Sequence, residues 1–220
     1  MVASVIFDLD GTLADTSRDL INAANSCFRD MGLGDVLEPA RDQAIALRGG
    51  RMMLTRGLER VGRYDEAVVK AYYQPLLDAY AGAISTHTVL YPGAMEAVAA
   101  LKDDGFAVGI CTNKPEGLAR QLLTDLGILD AFASLIGADT LPVRKPDPAP
   151  LFAAAEAAGG SRHCILIGDS DTDRNTAKAA GVPSVLVTFG PAGGDMAALE
   201  PEALLADYAD LPALARRLLA

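Results

Sequence analysis

The sequence is poor in cysteine. Its three cysteines, Cys27, Cys111 and Cys164, lie far apart, and none belongs to a short Cys–Cys or Cys–His spacing. A disulfide framework or a zinc site would need such a spacing, so the pattern argues against both and favours a reducing, cytoplasmic location. We therefore predict that all three thiols are buried apolar groups.

Long hydrophobic runs are missing as well. Although 50% of the 220 residues are hydrophobic, no run approaches the roughly 18 apolar residues of a membrane span. The N-terminus has no basic start, so we expect a first strand there rather than a signal peptide. The composition is typical of a globular protein with one sizeable core, or with one core and a smaller appended unit.

Basic residues are in the minority. The chain has 19 Lys and Arg against 29 Asp and Glu, which gives a formal net charge of −10. Such a surface repels nucleic acid and anionic lipid, so we expect neither nucleic acid nor a membrane as a partner. A small anionic substrate is still compatible, because a local cation reverses the field inside a cleft. Monomer and homodimer both stay open.

Short apolar runs without alternation recur along the chain, a pattern typical of strands in a parallel sheet that is covered on both faces. The predicted strands are 4–7, 106–110, 133–136, 164–167 and 184–187. Helices with Pro or Asp near the start and Gly after the end are predicted between them. These helices are 93–104, 115–127, 147–159 and 171–181, the last with Asp171 as its cap. The alternation predicts an α/β fold with a doubly wound, Rossmann-like parallel sheet, and from Pro201 onward we expect one or two amphipathic helices.

Residues 16–84 interrupt this alternation with successive helical patterns. The predicted helices are 16–31, 40–47, 51–61 and 65–81, the first with Thr16 and Asp19 spaced as a capping box. We therefore predict a catalytic core domain formed by 1–15 and 85–220, and a helical cap domain formed by 16–84. Because the cap is inserted after the first strand, we expect it to act as a lid.

Polar side chains gather where the predicted strands end. They are Asp8 and Asp10 after the first strand, Thr112 and Asn113 after the second, Lys145 in the loop after 133–136, and Asp169 and Asp173 after 164–167. Each of these residue types, taken alone, is more often a helix cap, a turn former or a solvated charge. Ligands of open parallel sheets bind outside the carboxyl ends of the strands, so all of them at corresponding ends favour a functional site.

This set of groups suits phosphoryl transfer. Several carboxylates in one crevice need a cation, and oxygen ligands without His or Cys favour Mg²⁺. One carboxylate can attack phosphorus, and a second can give a proton to the leaving oxygen and later take one from water. Lys145 adds a fixed positive charge, while Thr112 and Asn113 can hold phosphate oxygens.

Four segments resemble, in order, the motifs of the haloacid dehalogenase superfamily. They are Asp8-Leu-Asp10-Gly-Thr-Leu, Thr112-Asn113, Lys145-Pro and Gly168-Asp169-Ser-Asp-Thr-Asp173. The resemblance implies that Asp8 is the nucleophile and a metal ligand, and that Asp10 is the general acid/base and offers its carbonyl to Mg²⁺. It also implies that Asp169 is a further metal ligand, that Asp173 makes an outer or water-mediated contact, and that Lys145 is catalytic.

Further likenesses concern the substrate. An acid at Asp10 resembles the family members that act on phosphate esters, and the loops Tyr91-Pro-Gly, Cys-Thr112-Asn-Lys-Pro115 and 137–148 resemble those of phosphoglycolate phosphatases. We therefore expect hydrolysis of 2-phosphoglycolate through an aspartyl-phosphate. The alternatives are a phosphatase of another small metabolite, a phosphomutase of a small sugar phosphate, or a regulator that only binds. Arg48 and Gly49, in a basic turn of the predicted cap, are expected to meet a substrate carboxylate, although a solvated turn is an equal interpretation.

Overall fold

The computed structural model describes residues 2–191 and 193–220, which form two compact units. One unit comprises Met1–Ala14 and Leu90–Ala220, and the other comprises Asp15–Val89. We call them the sheet unit and the helical unit. The strands are β1 Ser4–Phe7, β2 Ala14–Asp15, β3 Val89–Leu90, β4 Ala107–Cys111, β5 Ser134–Ile136, β6 Cys164–Gly168, β7 Ser184–Val187 and β8 Ala203–Leu205. Strands β2 and β3 form a two-stranded sheet of their own.

The sheet unit contains a six-stranded sheet in the order β5-β4-β1-β6-β7-β8, and all its pairs are parallel. Strand β1 lies in the middle of the sheet. Strands β4 and β5 follow on one side of β1, and β6, β7 and β8 follow on the other side. The prediction of a doubly wound α/β sheet is confirmed, and the five predicted strands are found to within one residue at each end. The order reverses at β1, which is where such sheets bind ligands.

The core lies along the central strands. All four residues of β1 are 0% exposed, because the sheet is covered by helices of the unit. These helices are α5 Ala94–Asp103, α6 Glu116–Asp125, α7 Ala149–Ala157, α8 Asp171–Ala180 and α9 Leu211–Leu218. Helix α7 packs on β1, β4 and β5, and α8 packs on β6 and β7. Each large apolar side chain buried in this way contributes about 1.5–3 kcal/mol of transfer free energy.

The prediction of only helices after Pro201 is wrong in one respect. Residues Ala203–Leu205 form β8, whose Leu205 is buried and whose Leu204 is 43% exposed. A run of three residues is too short for its hydrophobic periodicity to distinguish a strand from a helix. The strand is defined instead by its pairing with β7, which is a contact distant in sequence. Helix α9 follows, as expected.

The helical unit holds α1 Ser17–Asp30, α2 Gln43–Ala46, α3 Gly50–Arg60 and α4 Glu66–Ala81. The four predicted helices are therefore present. The capping box is not: the Asp19 carboxylate accepts hydrogen bonds from the backbone N–H of His87 and of Thr88, both at 2.8 Å, and from Thr88 Oγ1 at 2.9 Å. Instead, the Asp15 side chain accepts from the Ser17 N–H at 3.0 Å. A buried carboxylate is drawn to the largest set of donors within reach, which here lies far along the chain.

The three cysteines are free and buried, as predicted. Among the residues that the structure describes, no helix is long and apolar enough to cross a membrane.

Candidate active site

The loop after β1 places two acidic side chains at the centre of the sheet edge. The Asp8 N–H donates to the Ile167 carbonyl of β6 at 2.8 Å, which extends the ladder by one residue. The chain then turns at Gly11, whose φ of +78° is readily adopted only by glycine. Tyr208, which is buried, pins this loop by donating its hydroxyl to the Thr12 carbonyl at 2.7 Å.

Lys145 pairs with one acidic side chain after β1 and with another in the first turn of α8. Its Nζ lies 3.1 Å from Asp8 Oδ1 and 2.7 Å from Asp173 Oδ1, and its side chain is 1% exposed. Asp173 Oδ2 accepts from Ser170 Oγ at 2.6 Å and from the Asp169 N–H at 3.2 Å. The sequence-predicted Lys145, Asp8, Asp169 and Asp173 therefore lie together, and Asp173 is held by donors to both of its oxygens.

Asp8, Asp169 and Asp173 form an acidic cluster that can hold a metal ion. Each offers one carboxylate oxygen, and these oxygens lie within 4.8 Å of one another. Asp169 Oδ1 also accepts from Thr12 Oγ1 at 3.1 Å, which ties β6 to the loop after β1. The donor set contains only oxygen and carries excess negative charge, so these residues fit Mg²⁺ better than a metal that prefers nitrogen or sulfur.

Burial and neighbouring charges shift the pKa values of the groups in this cluster. Burial, with the nearby charges of Asp173 and Asp10, raises the pKa of Asp8 to about 6, although Lys145 opposes the shift. Burial and the charges of Asp173 and Asp8 raise the pKa of Asp169 well above its usual value. For Lys145 burial alone would lower the pKa, but the attraction of Asp173 and Asp8 outweighs it and raises the pKa. A cation would relieve the repulsion between these carboxylates.

The Asp10 carboxylate has a different partner from the acidic cluster. It accepts from Lys114 Nζ through both oxygens, at 2.8 Å for Oδ1 and 3.0 Å for Oδ2. The Lys114 side chain is 3% exposed. Lys114 was not predicted as a site residue, although this lysine directly follows the Thr112-Asn113 segment. The signal that could have found it is a lone lysine in a polar strand-end loop facing an excess of acids.

Thr112 and Asn113 sit where expected, at the end of β4. Thr112 is buried, and its Oγ1 accepts from the Lys114 N–H at 3.2 Å. Asn113 is exposed, and its Nδ2 donates to the Lys145 carbonyl at 3.0 Å. The Asn113 side chain thus fixes the loop that carries Lys145.

The sequence also predicted roles for Arg48, Gly49 and Asp171. Arg48 is exposed in the turn between α2 and α3, and Gly49 precedes α3 with a φ of +93°. Both belong to the helical unit. Asp171 is not the cap of α8, because the extended backbone of Ser170 places Ser170 at the N-cap, where its Oγ accepts from the Asp173 N–H.

The chain resembles known proteins over almost its full length. Residues 5–187 match the model of the haloacid dehalogenase-like hydrolases. A phosphoglycolate phosphatase of Rhodospirillum rubrum is 38% identical over 216 residues, covering 96% of this chain and 90% of that protein. One of Cereibacter sphaeroides is 39% identical over 217 residues, covering 98% of this chain and 99% of that protein. The crystal structure of a predicted phosphoglycolate phosphatase from Haemophilus somnus has a TM-score of 0.84 and 26% identity, with 97% of each chain covered.

Proposed function

This chain belongs to the haloacid dehalogenase-like hydrolase family and is a phosphatase, and we propose that it hydrolyses 2-phosphoglycolate in two steps through a phosphate ester on Asp8. The observation that carries the proposal is the position of Asp8 beside Lys145 and within the acidic cluster. The choice of substrate rests on the phosphoglycolate phosphatases that match nearly the whole chain.

In the first step we assign the attack on phosphorus to Asp8. Among the residues that the structure describes, the contacts of the Asp8 carboxylate with Lys145 Nζ and with the Leu9 N–H, the latter at 2.7 Å, both fall on Oδ1. We therefore assign Oδ2 as the attacking oxygen. Lys145 keeps positive charge beside the oxygens that gain negative charge as the phosphoryl group transfers, and the Thr112 hydroxyl is assigned to a phosphate oxygen.

Asp10 is the proposed acid and base. It gives a proton to the leaving glycolate oxygen, and in the second step it takes one from the water that attacks the phosphate ester of Asp8. Asp10 follows Asp8 by two residues in the loop after β1, and its charge contributes to the raised pKa of Asp8.

We propose Mg²⁺ as the cofactor, held by Asp8 and Asp169 with Asp10 contributing its backbone carbonyl. When bound, Mg²⁺ neutralises the carboxylates and the phosphate that would otherwise repel each other. Asp173, already held through both oxygens, is assigned to orient Lys145 and the β6 end. Arg48 and Gly49 remain the proposed contacts for the substrate carboxylate, in the 16–84 cap that we propose as a lid.

The test is a substrate panel in which phosphate release is measured for 2-phosphoglycolate, sugar phosphates and nucleotides. We expect the highest kcat/KM for 2-phosphoglycolate, a requirement for Mg²⁺, and loss of activity on chelation with EDTA. Arg48→Met is expected to raise KM for 2-phosphoglycolate, while Arg56→Met, an exposed arginine of the same unit, serves as the control. A sugar phosphate turned over faster would contradict the substrate assignment, and phosphorus NMR would then distinguish released phosphate from an isomeric sugar phosphate.

A further inference from the structure

Two buried lysines lie in the candidate active site, and they contact different acidic side chains. Lys145 contacts Asp8 and Asp173, whereas Lys114 binds both oxygens of Asp10. The Lys114 and Asp10 side chains are 3% and 17% exposed, so water screens this pair only weakly. The charge of Lys114 therefore lies directly beside the Asp10 carboxylate.

The backbone of Lys114 is fixed independently of the loop that carries Asp10. Its N–H donates to Thr112 Oγ1 at 3.2 Å, and its carbonyl accepts from the Ala138 N–H at 2.9 Å. The ends of β4 and β5 thus hold the lysine from two sides. Gly137, which precedes Ala138, lies so close to the chain after Lys114 that a Cβ there would overlap the backbone of Glu116.

Such a fixed lysine can set the position of a neighbouring carboxylate. Two hydrogen bonds from one ammonium to both oxygens restrict the rotation of the carboxylate about its terminal bond. A base that is held in one orientation stays aligned with the group it acts on, so it keeps the rate advantage that proximity and orientation provide.

We infer that Lys114 is a positioning residue that holds the Asp10 carboxylate ready as the base for hydrolysis of the phosphate ester on Asp8. The inference rests on the proposed function. In this step the water oxygen forms a bond to phosphorus, and the bond between phosphorus and the Asp8 oxygen breaks. Asp8 recovers its carboxylate, the water proton passes to Asp10, and inorganic phosphate leaves.

The two half-reactions can be separated with p-nitrophenyl phosphate, whose leaving group departs without a proton. In Lys114→Met the first turnover then stays fast, because it needs no acid, and only the hydrolysis slows. We expect a burst of nitrophenolate close to one per enzyme. The steady-state rate is expected to fall about 10- to 100-fold below that of the wild type, because loss of positioning removes a part of the rate factor that a positioned acid or base supplies. Acid-quenched samples labelled with radioactive phosphate are expected to hold more phosphoenzyme than the wild type.

Three further variants complete the experiment. Asp10→Asn removes the base itself, so it is expected to give the same burst and a steady state at least as slow. Lys114→Arg keeps a cation that can bind both carboxylate oxygens, so it is expected to restore most of the steady-state rate. Lys102→Met removes an exposed lysine of the same unit and is expected to match the wild type.

Two results would overturn the inference. If Lys114→Met lowers the burst rate and the steady-state rate equally and Lys114→Arg is no better, the lysine is only structural. If the loss is confined to 2-phosphoglycolate and p-nitrophenyl phosphate is unaffected, Lys114 contacts the substrate carboxylate. A wild type that forms no phosphoenzyme, or an Asp8→Asn variant that forms one, would instead overturn the proposed function.

Discussion

Two aspartates of this chain, Asp42 in the helical unit and Asp8 in the sheet unit, have pKa values shifted in opposite directions. Asp42 binds both terminal nitrogens of Arg60 at 2.7 Å and accepts from the Glu38 N–H at 2.8 Å. The hydrogen bonds from Arg60 lower its pKa to about 2, although burial opposes this. Asp8 shares a single lysine with Asp173, and burial raises its pKa to about 6.

The difference separates structural charge from functional charge. The fold stabilises the charge of Asp42 and is stabilised by it in return. The charge of Asp8 is held at a cost among other acids, and groups of this kind are candidates for chemistry. Removing each side chain is therefore expected to have opposite consequences.

The largest expected effect concerns activity. Asp8→Asn is expected to lower phosphate release about 10⁴-fold or more, since a nucleophile acts as part of a unit that fails without it. Its free energy of unfolding, measured without added metal, is expected not to fall, because a strained carboxylate is replaced by a neutral amide. Asp42→Asn is the matched control and is expected to keep its activity. Equal activity in the two variants would break the comparison.

Lys145→Met is expected to show the next largest effect, on stability. It leaves the buried Asp173 carboxylate and Asp8 without their cation, and removing one partner of a buried ion pair costs about 3–5 kcal/mol. Chemical denaturation checks this value. Lys178→Met, an exposed lysine on α8, is the control. A loss of stability as small as that of the control would show that solvent already screens Lys145.

Asp42→Asn is expected to lower the free energy of unfolding by about 2 kcal/mol at neutral pH, from the difference between the usual pKa of Asp and the value in the fold. Because the pKa of Asp42 is about 2 in the fold against 3.8 ordinarily, this contribution is complete above the ordinary value. It is lost as the pH falls toward 2. Denaturation curves of wild type and variant should therefore converge over that range, and a difference that persisted at pH 2 would contradict the ion-pair account.

The smallest expected effect compares two helix caps. The Ser170 and Asp65 side chains cap α8 and α4, and Ser170→Ala and Asp65→Ala are each expected to cost about 1 kcal/mol of stability. Only Ser170→Ala is expected to lower activity as well, because Ser170 Oγ also donates to Asp173. Thermal unfolding and phosphate release measure the two effects. Equal activity in both variants would mean that the Asp173 contact has no role in catalysis.

Much of the site was predictable because parallel strands carry their end residues to one edge. The strand patterns around 4–7 and 164–167 were sufficient to bring Asp8 and Asp169 together, and the parallel order makes their meeting a matter of topology. Lys145 followed from the same argument, although its loop is longer.

The features that were missed depend on contacts distant in sequence. Nothing in the spacing of Lys114 connects it to Asp10, and only the folded loops bring the two within 2.8 Å. Asp19 has the spacing of a capping residue, yet its carboxylate accepts hydrogen bonds from three donors of His87 and Thr88 instead. Strand β8 was missed because its pairing with β7 outweighs a weak local preference.

The central claim is that Asp8 carries the phosphoryl group. Phosphoenzyme formed during turnover of 2-phosphoglycolate can be trapped by rapid quenching and reduced with borohydride, which converts a phosphorylated aspartate into homoserine. Peptide mass spectrometry then locates the modified residue. The account predicts homoserine at position 8 in the wild type and none in Asp8→Asn; modification at Asp10 or Asp169 instead, or none anywhere during active turnover, would contradict it.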